Sequence, residues 1–239
     1  MATEPTIPAV TYSLSRRANW AAGQPISYLM HKALAHPQLI SLAAGFVDQA
    51  TLPVEEVQTS LSQLFADPAV ARAALQYGTT QGHLPLRKIL LDRLREADGH
   101  PASLAKATPD DMIITAGSNQ LLHLLADTLL DPGDIVLVAA PTYFVFLGTL
   151  NNVGARAVSV ETDEHGMIPE SLEDQLAHLR LTGELPRVKA IYAMSYFDNP
   201  TSVSLPENRR AEIVEIAKRW SHEHTLYVIE DAAYRELRY

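Results

Sequence analysis

The stretch IVLVAA, residues 135–140, decides the fold class, because every one of its side chains is apolar. A strand with one face in water alternates polar and apolar residues, whereas a strand covered by helices on both faces is apolar throughout. The turn residues PGD, 132–134, precede the stretch, and Pro141 follows it. It therefore predicts a buried central strand of a parallel sheet.

On both sides of this strand, apolar runs of strand length alternate with amphipathic runs of helix length. The predicted strands are DMIIT (111–115), ARAVSVE (155–161), VKAIYAMS (188–195) and LYVIE (226–230). The predicted helices among them are SNQLLHLLADTLL (118–130), PESLEDQLAHLR (169–180) and PENRRAEIVEIAKRW (206–220). This alternation indicates an α/β fold with a mostly parallel sheet flanked by helices.

The first part of the chain has a different pattern. Residues 1–45 are interpreted as an N-terminal arm with one helix at about 25–35, and residues 46–239 as the large domain. Further helices are predicted at about 54–66 and 83–97. No internal repeat or low-complexity tract divides the chain.

Composition excludes several classes of protein. The net charge of -9 argues against a nucleic-acid-binding surface, and the absence of cysteine excludes disulfides and thiolate metal sites. No metal is expected, because His222 and His224 are two residues apart and would not face one side of a helix. The first 17 residues lack the apolar core of a secretory signal. The most apolar stretch, 135–150, is shorter than the roughly 20 residues of a membrane helix. We expect a cytoplasmic protein that does not enter a membrane.

In parallel sheets ligands bind beyond the carboxyl ends of the strands, so the residues after each strand are the candidates. Gly117 and Ser118 begin a helix after DMIIT, and the free N–H groups of such a turn suit a phosphate. The alternative is that Ser118 only caps the helix. After IVLVAA comes Tyr143, which suits either stacking on a planar ligand or ordinary core packing.

The last two strands add polar groups. Asn199 follows VKAIYAMS, where its amide is either a ligand donor or part of an Asn-Pro turn. Asp231 and Tyr234 follow LYVIE. A carboxylate so near a buried strand has to be solvated, paired or hydrogen-bonded. Its partner is either a nearby arginine, such as Arg235, or a protonated ring nitrogen of a cofactor.

Together these strand ends describe a pocket for a flat, phosphorylated heteroaromatic ring. Pyridoxal 5'-phosphate fits this description, with its phosphate at the helix N-terminus and its ring against the aromatic side chain. An acid beside the pyridine nitrogen keeps that nitrogen protonated, so that the ring accepts electrons from a substrate carbanion.

The chain resembles the class I/II aminotransferases, which are fold-type I pyridoxal-phosphate enzymes, in their aminoadipate, aromatic and branched-chain group. The resemblance runs in order through most of the chain and rests on LISLAAGFVDQATLP, LQYGTTQGHLPLRKIL, TAGSNQLLHLLADTLLDPGDIVLVAAPTYF, DEHGM, DNPT and IEDAAYREL. It implies an aminotransferase that moves an amino group from an amino acid to a 2-oxo acid.

The resemblance also implies roles for individual residues. Ser118 and Asn119 hold the cofactor phosphate, and Tyr143 stacks on the ring. Asn199 and Tyr234 hydrogen-bond the ring hydroxyl O3', and Asp231 pairs with the ring nitrogen. Tyr77 reaches the phosphate in the neighbouring subunit, which implies a homodimer with shared active sites, and Gly45 lies beside the substrate carboxylate.

Three positions depart from the family pattern. Ser202 stands where the family usually has glycine, which puts the shape of that loop in question. GFVD, 45–48, replaces the commoner Gly-Gly-x-Pro at the substrate loop, and Asn119 replaces a usual glutamine.

The resemblance implies a lysine that forms a Schiff base with the cofactor on a serine-rich stretch. None of the five lysines has that context, so we expect this lysine after Tyr239. The 239 residues are therefore interpreted as the N-terminal part of a longer enzyme, with a sheet that is incomplete at the C-terminus and no activity of their own. Two alternatives stay open, which are a lyase or decarboxylase of the same fold and a ligand-sensing domain of a transcription regulator.

Overall fold

The computed structural model describes most of the chain, namely residues 13–21, 25–36, 38–40, 47–222 and 224–237. The chain divides into two compact units, one made of Met1–Ile26 and Gly117–Tyr239 and the other of Ser27–Ala116. No helix among the described ranges is both long and apolar enough to cross a bilayer.

Helices and strands alternate along the larger unit. Across both units, the α-helices of the described residues are α1 (Arg16–Ala21), α2 (Pro25–Ala35), α3 (Val54–Ala66), α4 (Pro68–Ala74), α5 (Leu84–Ala97), α6 (Ser118–Leu129), α7 (Phe144–Val153), α8 (Pro169–Leu181) and α9 (Glu207–Trp220). The strands are β1 (Ile135–Ala139), β2 (Arg156–Val160), β3 (Thr162–Asp163), β4 (Gly166–Met167), β5 (Val188–Met194) and β6 (Tyr227–Asp231).

Four strands form a parallel sheet in the order β2-β1-β5-β6. The strands β3 and β4 form a separate antiparallel hairpin. This arrangement confirms the α/β fold with a mostly parallel sheet. All four carboxyl ends of the parallel strands lie at the same edge of the sheet, which is the edge where such folds bind ligands.

Helices cover both faces of the sheet, which explains why β1 and β5 are apolar at nearly every position. On one face, α8 and α9 contribute Leu172, Leu176 and Ile213 to the buried cluster. On the other face, α6 and α7 bury side chains against β1 and β5, including Leu122, Ala126, Phe146 and Leu150. At about 25 cal/mol per Å² of buried apolar area, these two layers are the main stabilising contribution to the unit.

The N-terminal arm packs on the second face through α1. Trp20 lies against Gly154, which ends α7 in the left-handed conformation with φ of 79°. A Cβ at Gly154 would lie 2.7 Å from the indole ring, so only glycine fits there. Asn151 donates its side-chain N–H to the Trp20 carbonyl at 2.5 Å, and Arg17 pairs with Asp127.

One predicted strand is wrong. Of the stretch 111–115, Asp111 ends a 3-10 helix, Pro109–Asp111, and the following residues join no strand. Thr108 and Asp111 form a reciprocal capping box around this turn, and the N–H of Ile114 donates to the Gln81 carbonyl. The local capping residues therefore hold this stretch in a turn and an extended loop, despite its apolar side chains.

Candidate functional site

The buried carboxylate of Asp231 is the centre of the candidate site. Asp231 ends β6 and pairs in register with Met194 of β5, while Tyr192 pairs with Ile229. Because side chains on one face of a strand recur at every second residue, Tyr192, Met194 and Asp231 share a face. The Tyr192 hydroxyl donates to Asp231 Oδ2 at 2.8 Å, and the N–H of Ala233 donates to Oδ1 at 3.1 Å.

Tyr192 is a neutral partner for this carboxylate. Its side chain is fully buried, and its ring packs on Phe146 with a centroid distance of 4.2 Å. Burial raises the pKa of the Tyr192 hydroxyl far above its ordinary value, and the negative charge of Asp231 raises it further. The phenol therefore stays protonated and donates a hydrogen bond without neutralising the charge on Asp231.

The start of α6 and the loop after β1 meet at a side-chain hydrogen bond. Gly117 precedes the helix with φ of 80°, and nothing lies within 4 Å of the position that a Cβ would take there. Ser118 and Asn119 are exposed in the first turn. The Tyr143 hydroxyl donates to Asn119 Oδ1 at 3.1 Å, while the Tyr143 ring lies against the core on the α6 side.

Asn199 lies in a tightly hydrogen-bonded turn after β5. The N–H of Asp198 donates to the Val203 carbonyl at 2.8 Å, and the Thr201 hydroxyl donates to the Asp198 carboxylate at 2.6 Å. Ser202 adopts the left-handed conformation with φ of 62°. Asn199 itself is half-buried in the middle of this turn. The neighbours of Asn199, rather than its own side chain, thus fix the backbone of the turn.

Asn199 and Tyr234 face a common surface depression. Its volume is about 260 Å³, and its other lining residues are Phe197, Asp198, Pro200, Ser202 and Leu237. Tyr234 also packs against the buried cluster that contains Tyr192 and Met194. The structure therefore brings together the residues that follow β5 and β6, as expected for neighbouring parallel strands.

Two predicted residues are not among those that form this edge. Tyr77 belongs to the unit Ser27–Ala116, where its side chain is 99% exposed. Gly45 lies outside the described residues.

The residues at the carboxyl ends of the strands offer three kinds of contact to a ligand. Asp231 offers a buried negative charge with neutral donors on both oxygens. Tyr143 offers an aromatic face beside the open first turn of α6, and Asn199 and Tyr234 offer polar groups at the depression. A buried acid of this kind suits a cationic nitrogen, and a helix N-terminus suits an anion.

Sequence inspection missed Tyr192, which lies within a strand rather than after it. A tyrosine among apolar residues suggests only core packing. No signal in the sequence alone identifies this tyrosine, because the strand order and register that place Tyr192 and Asp231 on one face are known only from the structure.

Comparison with known proteins gives a consistent family assignment. The family model "Aminotransferase class I and II" matches residues 37–239. The chain is 35% identical over 208 residues to aromatic-amino-acid aminotransferase 1 of Thermococcus litoralis, covering 87% of this chain and 47% of that protein.

Two solved structures extend the likeness to the fold. An archaeal alanine:glyoxylate aminotransferase superposes with a TM-score of 0.84 at 31% identity, covering 95% of this chain and 53% of the other. An α-aminoadipate aminotransferase from Thermus thermophilus, solved with N-(5'-phosphopyridoxyl)-L-leucine, superposes with a TM-score of 0.73 at 27% identity, covering 93% and 50%. The chain thus spans about half the length of the relatives that it matches.

Proposed function

The chain belongs to the class I and II aminotransferases, and on that premise we propose that it binds pyridoxal 5'-phosphate in an enzyme that transfers an amino group from an amino acid to a 2-oxo acid. The observation that carries the proposal is the buried carboxylate of Asp231, which ends a parallel strand and accepts hydrogen bonds from neutral donors. That carboxylate keeps its charge available for a cationic ring nitrogen.

The remaining site residues fit the other parts of the cofactor. Ser118 and Asn119, in the first turn of α6 behind Gly117, would hold the phosphate. Tyr143 would lie on the ring, and Asn199 and Tyr234 would hydrogen-bond the ring hydroxyl. When bound, the cofactor supplies an electron sink for the bonding electrons of the substrate α-carbon.

The chain's own groups prepare this site in separate ways. Asp231 would hold a proton at the ring nitrogen of the bound cofactor, because a buried negative charge stabilises the protonated form of its neighbour. The bond from Tyr143 to Asn119 fixes the orientation of the Tyr143 ring relative to α6. Packing of β5 and β6 keeps water away from the Tyr192 side of the carboxylate, since Tyr192 is fully buried.

Two lysines, Lys189 and Lys218, belong to the unit that holds the candidate site, and neither is part of that site. Lys189 is at the amino-terminal end of β5, opposite to the candidate site, and its Nζ donates to the Pro186 carbonyl at 3.1 Å. Lys218 pairs with Glu215 on α9. We therefore propose that these 239 residues provide the cofactor site rather than the amine that exchanges with substrate.

The cofactor site is tested by substituting its acid. Asp231→Asn keeps the size of the side chain and removes its charge, so we expect the dissociation constant for pyridoxal phosphate to rise at least tenfold. Equilibrium dialysis with absorbance detection measures this constant. Asp174→Asn, at an exposed position of α8, is the matched control and should bind like the wild type. Unaltered affinity in Asp231→Asn would show that the acid is assigned wrongly.

We also propose a homodimer in which Tyr77 reaches the phosphate bound by the other subunit. The complete exposure of the Tyr77 side chain supports this, because it leaves the phenol available for a contact between subunits. Sedimentation velocity over a range of concentrations tests the dimer. Tyr77→Phe should weaken cofactor binding at concentrations where dimers form and leave it unchanged in the monomer.

A further inference from the structure

The hydrogen bond between Tyr192 and Asp231 is the most buried side-chain contact at the candidate site. Tyr192 is fully buried and Asp231 is 8% exposed, and the phenol oxygen lies 2.8 Å from Oδ2. The two residues are 39 positions apart in the sequence and meet only because β5 and β6 pair in parallel. The contact is therefore a product of the register between these strands.

The carboxylate is held at both oxygens. Ala233 N–H donates to Oδ1 at 3.1 Å while the Tyr192 hydroxyl donates to Oδ2, so rotation of the carboxylate about its Cβ–Cγ bond would break both bonds. The Tyr192 ring is itself fixed, since it packs against Phe146 and is surrounded by the cluster of α6 and α7. Because the packed Tyr192 ring cannot move, its hydroxyl holds the Asp231 carboxylate in one orientation.

A phenol suits this task better than a cationic side chain. A buried arginine or lysine would cancel the charge of Asp231 and compete with a cationic ring nitrogen for the same oxygens. A neutral hydroxyl orients the carboxylate and leaves its charge in place. Burial keeps this hydroxyl protonated by raising the pKa of Tyr192.

We propose that Tyr192 is a positioning residue, which orients the Asp231 carboxylate towards the pyridine nitrogen of pyridoxal phosphate through its hydroxyl group. This inference rests on the proposed cofactor site, and assigns to Tyr192 no contact with the cofactor itself. Its effect must therefore pass through Asp231, and that requirement makes it testable.

The test is a double-substitution cycle on cofactor binding. Tyr192→Phe keeps the ring and its packing on Phe146 and removes only the hydroxyl. We expect affinity for pyridoxal phosphate to fall roughly tenfold, by analogy with groups that orient metal-ligating side chains. In an Asp231→Asn background the same change should have little further effect, because the charge that Tyr192 orients is already absent. Urea denaturation of each variant verifies that it is folded.

A spectroscopic readout separates positioning from packing. With cofactor labelled with 15N in its ring, we expect the ring nitrogen of the Tyr192→Phe complex to lose its proton at lower pH than in the wild type. Tyr227→Phe, at a 46% exposed position of β6, is the matched control for loss of a hydroxyl and should leave both affinity and titration unchanged.

A second variant tests the same inference if Tyr192→Phe folds poorly. Phe146→Leu keeps the hydroxyl but loosens the ring that carries it, and we expect a smaller loss of affinity that again vanishes in the Asp231→Asn background. Additive effects in both cycles would overturn the positioning role. A loss of affinity in Asp231→Asn without any loss in Tyr192→Phe or Phe146→Leu would also overturn the positioning role of Tyr192. That result would leave the proposed cofactor site supported. If the wild-type chain takes up no pyridoxal phosphate, the cofactor site falls, and this inference with it.

Discussion

Ser202 lies in a backbone conformation that serine seldom adopts. Its φ of 62° falls in the left-handed region, where the Cβ of an L-residue approaches the following carbonyl. The turn is imposed by its neighbours, because Ser202 N–H donates to the Asp198 carbonyl and Asp198 also bonds to Thr201 and Val203. The hydrogen bonds around Asp198 therefore keep the loop closed without glycine.

Substitution of this serine should make the protein more stable. Ser202→Gly removes the left-handed penalty, and the greater freedom of glycine in the unfolded chain offsets part of the gain, so we expect about 0.5–1 kcal/mol in the free energy of unfolding. Urea denaturation at neutral pH measures this change. Ser202→Ala retains the Cβ and should show no gain. If Ser202→Ala stabilised the protein as much as Ser202→Gly, the gain would come from removal of the hydroxyl and not from relief of the left-handed conformation.

At the scale of single residues, the sequence reveals the acid but not its partner. Asp231 is detectable because a charged residue directly after an apolar strand needs a partner. Tyr192 is not, since the identity of its partner depends on which strands pair and in what register. The same holds for the bond from Tyr143 to Asn119, which joins residues on either side of β1.

At the scale of elements, one ion pair joins the β3–β4 hairpin to α9. Arg209 donates to both oxygens of Asp163, at 2.5 and 2.6 Å, and also to the Gly166 carbonyl. The hydrogen bonds from Arg209, together with one from the backbone N–H of His165, lower the pKa of Asp163 to about 2. The Arg209 side chain is 15% exposed and that of Asp163 30%, so solvent screens this pair less than the more exposed pairs.

The Asp163–Arg209 ion pair predicts that part of the protein's stability is lost in acid. Because the pKa of Asp163 is lower in the folded protein than the ordinary value of about 3.9, its contribution is complete above pH about 4 and is lost as the pH falls towards 2. Arg209→Met should lower stability at neutral pH and flatten the fall between pH 4 and 2. Urea midpoints measured from pH 2 to 7 test both effects.

Another arginine of α9 supplies the control. Arg219 pairs with Glu173, but both side chains are about half exposed, so Arg219→Met should change the midpoint little at any pH. A pH profile of Arg209→Met that runs parallel to the wild type would show that the Asp163 pair does not stabilise the fold.

A helix or strand is predictable from sequence where the spacing of its apolar residues matches the faces that the fold buries. The strands β1, β2, β5 and β6 and the helices α6, α8 and α9 correspond to predicted runs, because apolar strands and amphipathic helices differ in periodicity. Helix α7 is not predicted, since its residues continue the apolar run of β1 beyond Pro141 with no change in polarity. The failed strand at 111–115 shows the opposite error, because a capped turn prevails over β-propensity.

At the scale of the whole molecule, burial is uneven between the two units. Both buried clusters lie within Gly117–Tyr239. Among the described residues of Ser27–Ala116, the buried ones are Ala71, Arg87 and Leu91, while large apolar side chains such as Ile40, Phe65 and Leu75 are at least half exposed. Apolar surface on that scale is typical of a segment that binds another protein surface.

The proposed homodimer would cover this surface, which leads to a prediction for hydrogen exchange. Amides of β5, which is buried at every position but Lys189, should exchange slowest at every protein concentration. Amides of α3, which has no buried residue, should exchange fast in dilute protein and slow down as the concentration rises, because association protects only what it covers. Mass spectrometry of peptides from the two elements measures both in one sample, with β5 as the internal control. Fast exchange of α3 at all concentrations would contradict a dimer built on this unit, and slow exchange at all concentrations would mean that α3 is protected without association.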